Sequence, residues 1–534
     1  MAKATRPRAT GIARLFIRKS VEQMHSEHAQ GELKRSLNAF NLISLGIGCI
    51  IGTGIFVLTG RAAAMFAGPG IMISFIITGL LCAFVALCYA ELASVLPVSG
   101  SAYSYSYASM GEFAAWVMGL LLVLEYGLAA ATVAVGWSGY VVSLLKDLGI
   151  HLPAVLTAAP GIEIQEAGAV VGHGVANLPA MLAIVAVTAL LVVGISESAT
   201  VNNIVVAIKV SVVIAFIAIG VLYVDTANWT PLVPPEIPPP PPGTPRGFWA
   251  DIWRALVDVM TAQNTSRYGI GGLISGAATI FFAYIGFEAV STAGAESKNP
   301  ARDMPIGILG SLLICTVLYI LTAAVLVGIV PYADLNDPAP IAKAVNQIGL
   351  PWFAVLVKIG AIAGLSSVML VLLYGQTRIF YTMARDGLLP GPLAIVHPRF
   401  RTPWVNTLIV GAFTAGAAGL MSLDSLADLT NVGSLAAFSI VCITVIYMRI
   451  AAPGLHRPFR TPLFPLTPIL GAAMCLFLLR SLMARQATRH FFLIYLAGGI
   501  VVYFVYGLRN SKLGKGEVVL GGEPTPDLPR RLDV

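Results

Sequence analysis

Apolar runs near the length of a bilayer crossing recur along the whole chain. A membrane helix needs about 20 largely apolar residues, because lipid offers backbone N–H and C=O groups no hydrogen-bond partner. The chain has 57% hydrophobic and only 11% charged residues, unlike a soluble domain. It is predicted to be an all-α polytopic membrane protein with twelve spans, at approximately 38–62, 70–95, 112–145, 177–195, 200–224, 270–293, 304–331, 351–384, 403–422, 432–451, 465–484 and 490–508.

Basic residues at the span ends predict the orientation. An even number of spans places both termini on one side, and the positive-inside rule makes that side cytoplasmic. The N-terminal arm, residues 1–37, is basic and shows no cleavable signal peptide, so span 1 is expected to anchor itself. Arg480, Arg485 and Arg489, between the last two spans, run against the rule. Orientation explains the net charge of +7 better than nucleic-acid binding does.

Two of the apolar runs are interrupted by small residues. Gly52, Thr53 and Gly54 interrupt span 1, and glycines recur in span 6, between 275 and 296. Each glycine inside a helix costs about 1 kcal/mol, and unwound backbone at membrane depth must be sheltered by protein or a water-filled cavity. Breaks in spans 1 and 6 are typical of two five-span halves related by inverted topology.

These features divide the chain into six predicted parts. They are a basic cytoplasmic arm at 1–37, a first five-span repeat at 38–224, a Pro-rich extracytoplasmic loop with a short helix (249–262) at 225–269, a second repeat at 270–451, spans 11 and 12 at 452–510, and a disordered cytoplasmic tail at 511–534.

A broken helix exposes backbone charge at membrane depth. The end of one half-helix leaves C=O groups unpaired and the start of the next leaves N–H groups unpaired, each end carrying about half a unit charge. A zwitterion such as a free amino acid fits both ends. We expect the amides around Thr53 and Gly54 to bind the carboxylate and the Ile50 carbonyl to accept from the ammonium. Alternatively, these glycines only allow close helix packing.

Several longer motifs resemble a known family. The segments GIGCIIGTGIFVLTGRAAAMFAGPG, FFAYIGFEAVSTAGAESKNPARDMPIGI and GQTRIFYTMARDGLLP resemble the amino acid-polyamine-organocation superfamily, specifically the cationic amino acid transporter family and its bacterial relatives, over about residues 35–510. The resemblance implies a leucine-transporter-like fold, with spans 1–10 forming the inverted repeat and spans 11 and 12 peripheral. It places the substrate against Ile50, Thr53 and Gly54 of span 1 and Phe282, Ala283 and Ile285 of span 6, with the ring of Phe282 as a gate.

Three further residues are candidates inside spans. Lys209 lies within span 5, where a charged side chain is costly in lipid. Related bacterial transporters carry a lysine where sodium-coupled members bind their ion, so proton coupling is the preferred role. The alternatives are snorkelling to the membrane surface and a structural tie to span 1 carbonyls. Glu125, in span 3, is placed beside the pocket by the resemblance, with a structural hydrogen bond as the alternative. Leu372, in span 8, is expected to face the substrate side chain.

Other charged residues are expected near span ends. Glu91 and Glu288 are predicted near the cytoplasmic ends of spans 2 and 6. An inner ion-pair network, or simply a solvated face, is predicted for Lys298, Arg302, Arg378, Arg385 and Asp386.

No enzymatic motif stands out. The seven histidines lie in loops or near span ends, without HExxH, GxSxG or P-loop patterns, and the six cysteines lie in apolar runs without metal-ligand spacing. We therefore expect no cofactor, metal, nucleic acid or obligate protein partner. The predicted function is a bacterial inner-membrane secondary transporter that imports amino acids by alternating access and proton symport. The alternatives are an amino acid/amine exchanger and a membrane sensor that binds without transporting.

Overall fold

The computed structural model describes residues 11–19, 36–98, 100–166, 169–194, 199–237 and 267–516. Within these ranges nearly all regular structure is helical. The short helix predicted at 249–262 lies outside the described residues. The main helices are α1 (Ala39–Ile50), α2 (Ile71–Val95), α3 (Ser101–Ser109), α4 (Glu112–Asp147), α5 (Leu178–Val193), α6 (Ala199–Gly220), α7 (Gly269–Ile280), α8 (Pro300–Ile329), α9 (Pro340–Gln347), α10 (Pro351–Arg385), α11 (Trp404–Leu420), α12 (Leu423–Ala451), α13 (Leu466–Met483) and α14 (Gln486–Val502).

The described residues contain nine helical segments long and apolar enough to cross a membrane. The first, Gly54–Val95, continues from a helical stretch after α1 into α2, with a turn at Gly68–Gly70. Three shorter apolar helices, α1, α5 and α11, accompany the nine. The chain is therefore a multi-pass membrane protein.

Burial separates central from peripheral helices. For each segment we compare the buried share of its most apolar 18 residues. This share is 83% in Glu112–Asp147 and 78% in Gly269–Glu296. The corresponding shares are 28% for Thr200–Tyr223 and 17% for Gln486–Asn510. Since the exposed remainder is apolar, these outer faces suit lipid rather than water.

A small β-hairpin interrupts the helical pattern between α4 and α5. Strands β1 (Glu163–Glu166) and β2 (Ala169–His173) pair antiparallel, with Glu163 opposite His173. Long apolar runs do not predict such a short hairpin, which lies in a connection between two spans.

Both ends of the described chain lie at the same end of the helix bundle. The Arg14 side chain packs against Gly514, and the backbone N–H of Lys512 donates to the Asp386 carbonyl at the end of α10. Lys19 forms a buried ion pair with the Asp386 carboxylate at 2.6 Å.

The predicted inner ion-pair network has different members in the structure. Asp386 pairs with Lys19 and accepts from the Tyr103 hydroxyl at 2.8 Å, so it bonds to the N-terminal segment. Glu91 accepts from Arg449 at 2.6 Å and from the Thr461 N–H at 2.7 Å. In the described part of the chain, no ion pair includes Lys298, Arg302, Arg378 or Arg385.

One arginine that runs against the positive-inside rule has a partner inside the bundle. Arg485 is 7% exposed, forms an ion pair with Asp428 of α12, and lies 5.2 Å from the centre of the Phe66 ring. This charge therefore belongs to the packed interior and carries no information about orientation.

We predict that replacing Arg485 destabilises the protein strongly. Arg485→Met leaves the Asp428 carboxylate buried without its partner, a loss of about 3–5 kcal/mol. Arg489→Met, at an exposed position four residues further along the chain, is the matched control and should change stability by only about 0.5 kcal/mol. Thermal unfolding of the detergent-solubilised protein measures both.

The double variant Arg485→Met with Asp428→Leu should recover much of the lost stability, because both charges are then removed together. Equal midpoints for Arg485→Met and Arg489→Met would contradict the pairing.

Candidate functional site

The first interruption lies directly after α1. The helix ends at Ile50, Ile51 has extended ψ (97°), and helical turns resume in the π-helical segment Gly54–Leu58. The Ile51 N–H bonds back to the Ile47 carbonyl, and the Phe56 N–H bonds back to the Gly52 carbonyl, where the next helical segment starts. By helix geometry, the N–H groups of residues 52–55 have no partner in either half-helix. The sequence therefore places four donors at a buried break.

Side chains from other helices satisfy the carbonyl groups at this break. Lys209 of α6 donates from Nζ to the Gly48 carbonyl at 2.5 Å and to the Ile51 carbonyl at 3.2 Å. Tyr319 of α8 donates to the Ile50 carbonyl at 2.7 Å. A carbonyl oxygen has two lone pairs, so Ile50 can still accept a second hydrogen bond.

Lys209 is enclosed by neighbouring helices. It is fully buried, and its stem lies beside Gly364 of α10, where an added Cβ would come within 3.3 Å. Its ammonium group ends at the break in span 1 rather than at a membrane surface. This position matches the structural tie considered as an alternative, and it is also the geometry that the proton-coupling hypothesis requires.

The second interruption follows α7. A short 3₁₀ segment covers Phe281–Tyr284, and a second one covers Glu288–Glu296. Between them lies Gly286, whose φ of +124° is accessible to glycine but strained for other residues. Asn431 of α12 donates to the carbonyls of Ala278 and Thr279 at 2.7 and 3.2 Å.

Glu288 belongs to this second break. Its Oε2 accepts the Gly286 N–H at 2.8 Å, and the residue is 1% exposed. The expectation that Glu288 lies near the end of its span is wrong, because the helix it belongs to begins only after the interruption. Hydropathy does not indicate that Glu288 lies at the break, because the position of a break is set by backbone geometry.

The two breaks are in direct contact. A Cβ added to Gly54 would overlap the Cα of Ala283, and one added to Gly286 would lie 2.8 Å from the Cys49 carbonyl carbon. Glycine at both positions is therefore a steric requirement. The structure brings together the predicted residues Ile50, Gly54 and Ala283.

The remaining predicted residues lie around this contact. Phe282 and Ile285 are each 5% exposed at the second break. Thr53 is fully buried against Gly136 of α4, and its hydroxyl has no hydrogen-bond partner among the described residues. Gly52 faces Val368 of α10, one helical turn from Leu372, so Leu372 lies on the face of α10 nearest the first break.

Glu125 lies in a π-helical turn of α4, Val123–Leu128. It is fully buried, and the Ser434 hydroxyl of α12 lies close enough to donate a hydrogen bond to its carboxyl group. The charge of Glu288 also acts on this carboxyl group.

The described residues contain no group of three or more His, Cys, Asp or Glu side chains arranged to hold a metal ion. The six cysteines are buried thiols that form no disulfide with one another.

Comparison with known proteins gives a consistent family. A family model described as amino acid permease matches residues 37–506. The methylthioribose transporter of Bacillus subtilis is 44% identical over 94% of this chain and 100% of its own length, and the branched-chain amino acid permease BcaP of the same organism is 44% identical over 94% and 99%. The vacuolar cationic amino acid transporter 4 of Arabidopsis thaliana is 36% identical over 82% of this chain and 68% of its own length. All three are named transporters or permeases, in agreement with the expectation of a non-enzyme.

We predict that a methyl group is tolerated at Gly52 but not at Gly54. Gly54→Ala forces the two breaks apart and should cost about 1–3 kcal/mol, as overpacking does. At Gly52 the added Cβ would meet Val368 at 3.5 Å, an ordinary contact, so Gly52→Ala serves as the matched control. Thermal midpoints and the yield of monodisperse protein measure the difference. Equal stability of the two variants would show that the breaks are not in contact.

Proposed function

This chain belongs to the amino acid permease family, and on that premise we propose that it is a secondary active transporter that imports amino acids by alternating access with proton symport. The contact between the two interrupted helices carries this proposal. It places unpaired N–H groups and carbonyl groups at one buried point, and these bind a carboxylate and an ammonium respectively.

The proposed substrate site combines both breaks. The amides around Gly52, Thr53 and Gly54 bind the carboxylate, while the ammonium donates to the carbonyls of Ile50, Phe282 and Ala283. Two of the relatives are named for branched-chain and cationic amino acids and one for methylthioribose, and the methylthioribose transporter and the branched-chain permease are both 44% identical to this chain. The side-chain preference therefore has to be measured.

The proposed topology follows the helices of the bundle. The Gly54–Val95 segment is divided at its turn, and α1 is joined to its first part. With this segment counted as two spans, the nine long segments give ten spans. Adding α5 and α11 makes twelve. Both termini at one end agree with this count. We place that end in the cytoplasm of a bacterial cell and assign spans 1–5 and 6–10 to the two inverted halves.

Ion pairs at the two ends of the bundle fit an alternating-access cycle. Arg61, on the half-helix after the first break, pairs with Asp424 at the start of α12 at 2.5 Å. Lys19 pairs with Asp386 at the end where both termini lie. Opening either end requires the pair at that end to separate while the other holds.

Lys209 is the proposed proton-coupling group. When protonated, it donates charge-assisted hydrogen bonds to two carbonyls at the first break. Loss of the proton removes the charge and weakens both hydrogen bonds, which releases the half-helix to move. Hydrogen bonds to a charged group contribute roughly 1.5–3 kcal/mol each, enough to shift a two-state equilibrium substantially.

The test of the overall proposal is radiolabelled uptake by proteoliposomes. It uses separately imposed pH and sodium gradients, and a competition panel of the common amino acids together with methylthioribose. Accumulation driven only by sodium would overturn the coupling assignment. Saturable binding without accumulation indicates a sensor, and uptake only into vesicles preloaded with amine or amino acid indicates an exchanger.

We predict that Lys209→Met loses accumulation driven by a pH gradient by about tenfold or more, because two charge-assisted hydrogen bonds disappear from one conformation. Counterflow of labelled substrate, which needs no net proton movement, should persist. Lys358→Met is the matched control: Lys358 is also a buried lysine, but it pairs with Asp147 at 2.5 Å, away from the breaks. If Lys209→Met or Lys209→Ala still follows the imposed pH gradient, the assigned role is wrong.

We predict that Leu372→Ala shifts the competition panel toward larger side chains. Removing the isobutyl group widens the pocket beside the first break, and a change of one or two methylenes alters discrimination by roughly tenfold or more. Relative inhibition by small and large amino acids, compared between variant and wild type, measures the shift. Leu370→Ala, two positions away on the same helix, should leave the ranking unchanged.

A further inference from the structure

Two tyrosines and two arginines form an exposed stripe at the end of α10, on the side of the membrane where both termini lie. Tyr374, Arg378, Tyr381 and Arg385 follow one another at spacings of four, three and four residues, which places them on one face of a helix. Both arginines are exposed, and Tyr374 is 38% exposed. We call these four residues the arginine–tyrosine stripe.

The stripe faces away from the packed interior. At about 100° per residue, it lies on the side of α10 opposite Leu372, Gln376 and Met383, which are all buried. Met383 on that buried side packs against Gly119 of α4. The stripe is therefore open to the surroundings of the protein.

Each arginine of the stripe lies over the tyrosine one helical turn before it. The Arg378 guanidinium is 4.8 Å from the centre of the Tyr374 ring and donates to the Tyr374 hydroxyl at 2.5 Å. The Arg385 guanidinium is 5.8 Å from the centre of the Tyr381 ring. Because α10 ends on this side of the membrane, both arginines reach back toward the bilayer. Tyrosine and arginine in this arrangement are typical of the lipid headgroup layer.

No ion pair neutralises the two arginines in the described part of the chain. The ion pairs found there leave out Arg378 and Arg385. Glu296 acts on Arg378 electrostatically but forms no ion pair with it. Asp386, the residue after Arg385, pairs with Lys19 instead. Most N–H groups of the two guanidiniums are therefore left for a ligand with negatively charged oxygens.

α6 reaches the stripe from the membrane side. Gly360 of α10 lies against Val212 of α6, and Gly364 lies against Lys209, so the two helices run in opposite directions. Both helices rise by about 1.5 Å per residue, so continuing this register brings the start of α6 beside α10 near Tyr374. The stripe thus begins where α6 ends on this side of the membrane.

The outer face of α6 is apolar. Ile204 and Ile208, one turn apart, are 56% and 44% exposed. Only 28% of the most apolar part of Thr200–Tyr223 is buried inside the protein. A molecule with a negatively charged head and apolar chains can therefore contact the stripe and this face together.

We propose that the arginine–tyrosine stripe binds the phosphate of an anionic phospholipid from the leaflet at this end of the bundle, with the acyl chains along the outer face of α6. A guanidinium group binds phosphate through two parallel hydrogen bonds. Two cations without a carboxylate partner favour a headgroup with net negative charge, because they repel the ammonium of a zwitterionic one. The stripe is separate from the two helix breaks, so this proposal does not depend on the substrate or the coupling ion.

The test measures lipid binding to the purified, delipidated full chain by native mass spectrometry. Wild-type protein should bind phosphatidylglycerol more tightly than phosphatidylcholine with the same acyl chains. Arg378→Gln combined with Arg385→Gln should raise the Kd for phosphatidylglycerol by about tenfold or more, because both cations that face the headgroup are lost.

Arg399→Gln combined with Arg401→Gln is the matched control. Both arginines are exposed in the connection after α10, and the Arg399 guanidinium lies 5.8 Å from the centre of the Phe400 ring. The control removes the same charge, but it should change the Kd for phosphatidylglycerol by less than about twofold. Both double variants alter exposed positions, so their thermal midpoints should match that of the wild type. Equal Kd values for the two double variants would overturn the proposal.

Two further ligands separate an anionic lipid from other phosphate compounds. If glycerol 3-phosphate, which has no acyl chains, displaces phosphatidylglycerol at equal concentration, the stripe is a site for soluble phosphates and the proposal is wrong. If phosphatidylcholine binds as tightly as phosphatidylglycerol, the stripe does not select charge, which also contradicts the proposal. Failure of amino acid uptake in proteoliposomes would refute the proposed function but would leave the lipid-binding result standing.

Discussion

The contact between two unwound segments is the constraint on which the rest of this structure depends. Gly54 packs on Ala283, and Gly286 packs on the Cys49 and Ile50 backbone, at distances that leave no room for a side chain. Each break therefore helps to shelter the other from lipid, which unwound backbone at membrane depth requires. Because the segments touch at main-chain level, neither half-helix can shift without changing the surface offered to the other.

Buried polar side chains lower the free-energy cost of these breaks by forming hydrogen bonds with their backbone groups. Lys209, Tyr319 and Asn431 reach the freed carbonyls from α6, α8 and α12. Glu288 provides the complementary acceptor for an N–H at the second break. The hydrogen-bond partners come from different helices, so the geometry of the site depends on how these helices pack together. A rearrangement of any of these helices changes the hydrogen bonds at the breaks, which is the coupling that a transporter needs.

Hydropathy and small-residue patterns predicted most of the helices but few of their polar contacts. The predicted spans 112–145, 351–384 and 465–484 differ by two residues or fewer at each end from α4, α10 and α13. The tenth was predicted to begin at 432, whereas α12 begins at Leu423, because Asp424 and Asp428 lower the local hydropathy. Both acids are ion-paired with distant arginines, and pairing is invisible in a window of sequence. The Lys19–Asp386 pair was missed for the same reason, because it joins residues that are far apart in the chain.

The proposed assignments set the charge at the two breaks. Protonated Lys209 brings one ammonium to the carbonyls of Gly48 and Ile51, and a zwitterionic amino acid adds no net charge when it enters. Net neutrality matters because desolvating an uncompensated charge at this depth costs several kcal/mol. A sodium ion near the first break would instead face the Lys209 ammonium, and like-charge repulsion is strong in a poorly screened interior. Under the proposed coupling, a proton suits this interior because it alters the charge of Lys209 without needing a coordination shell.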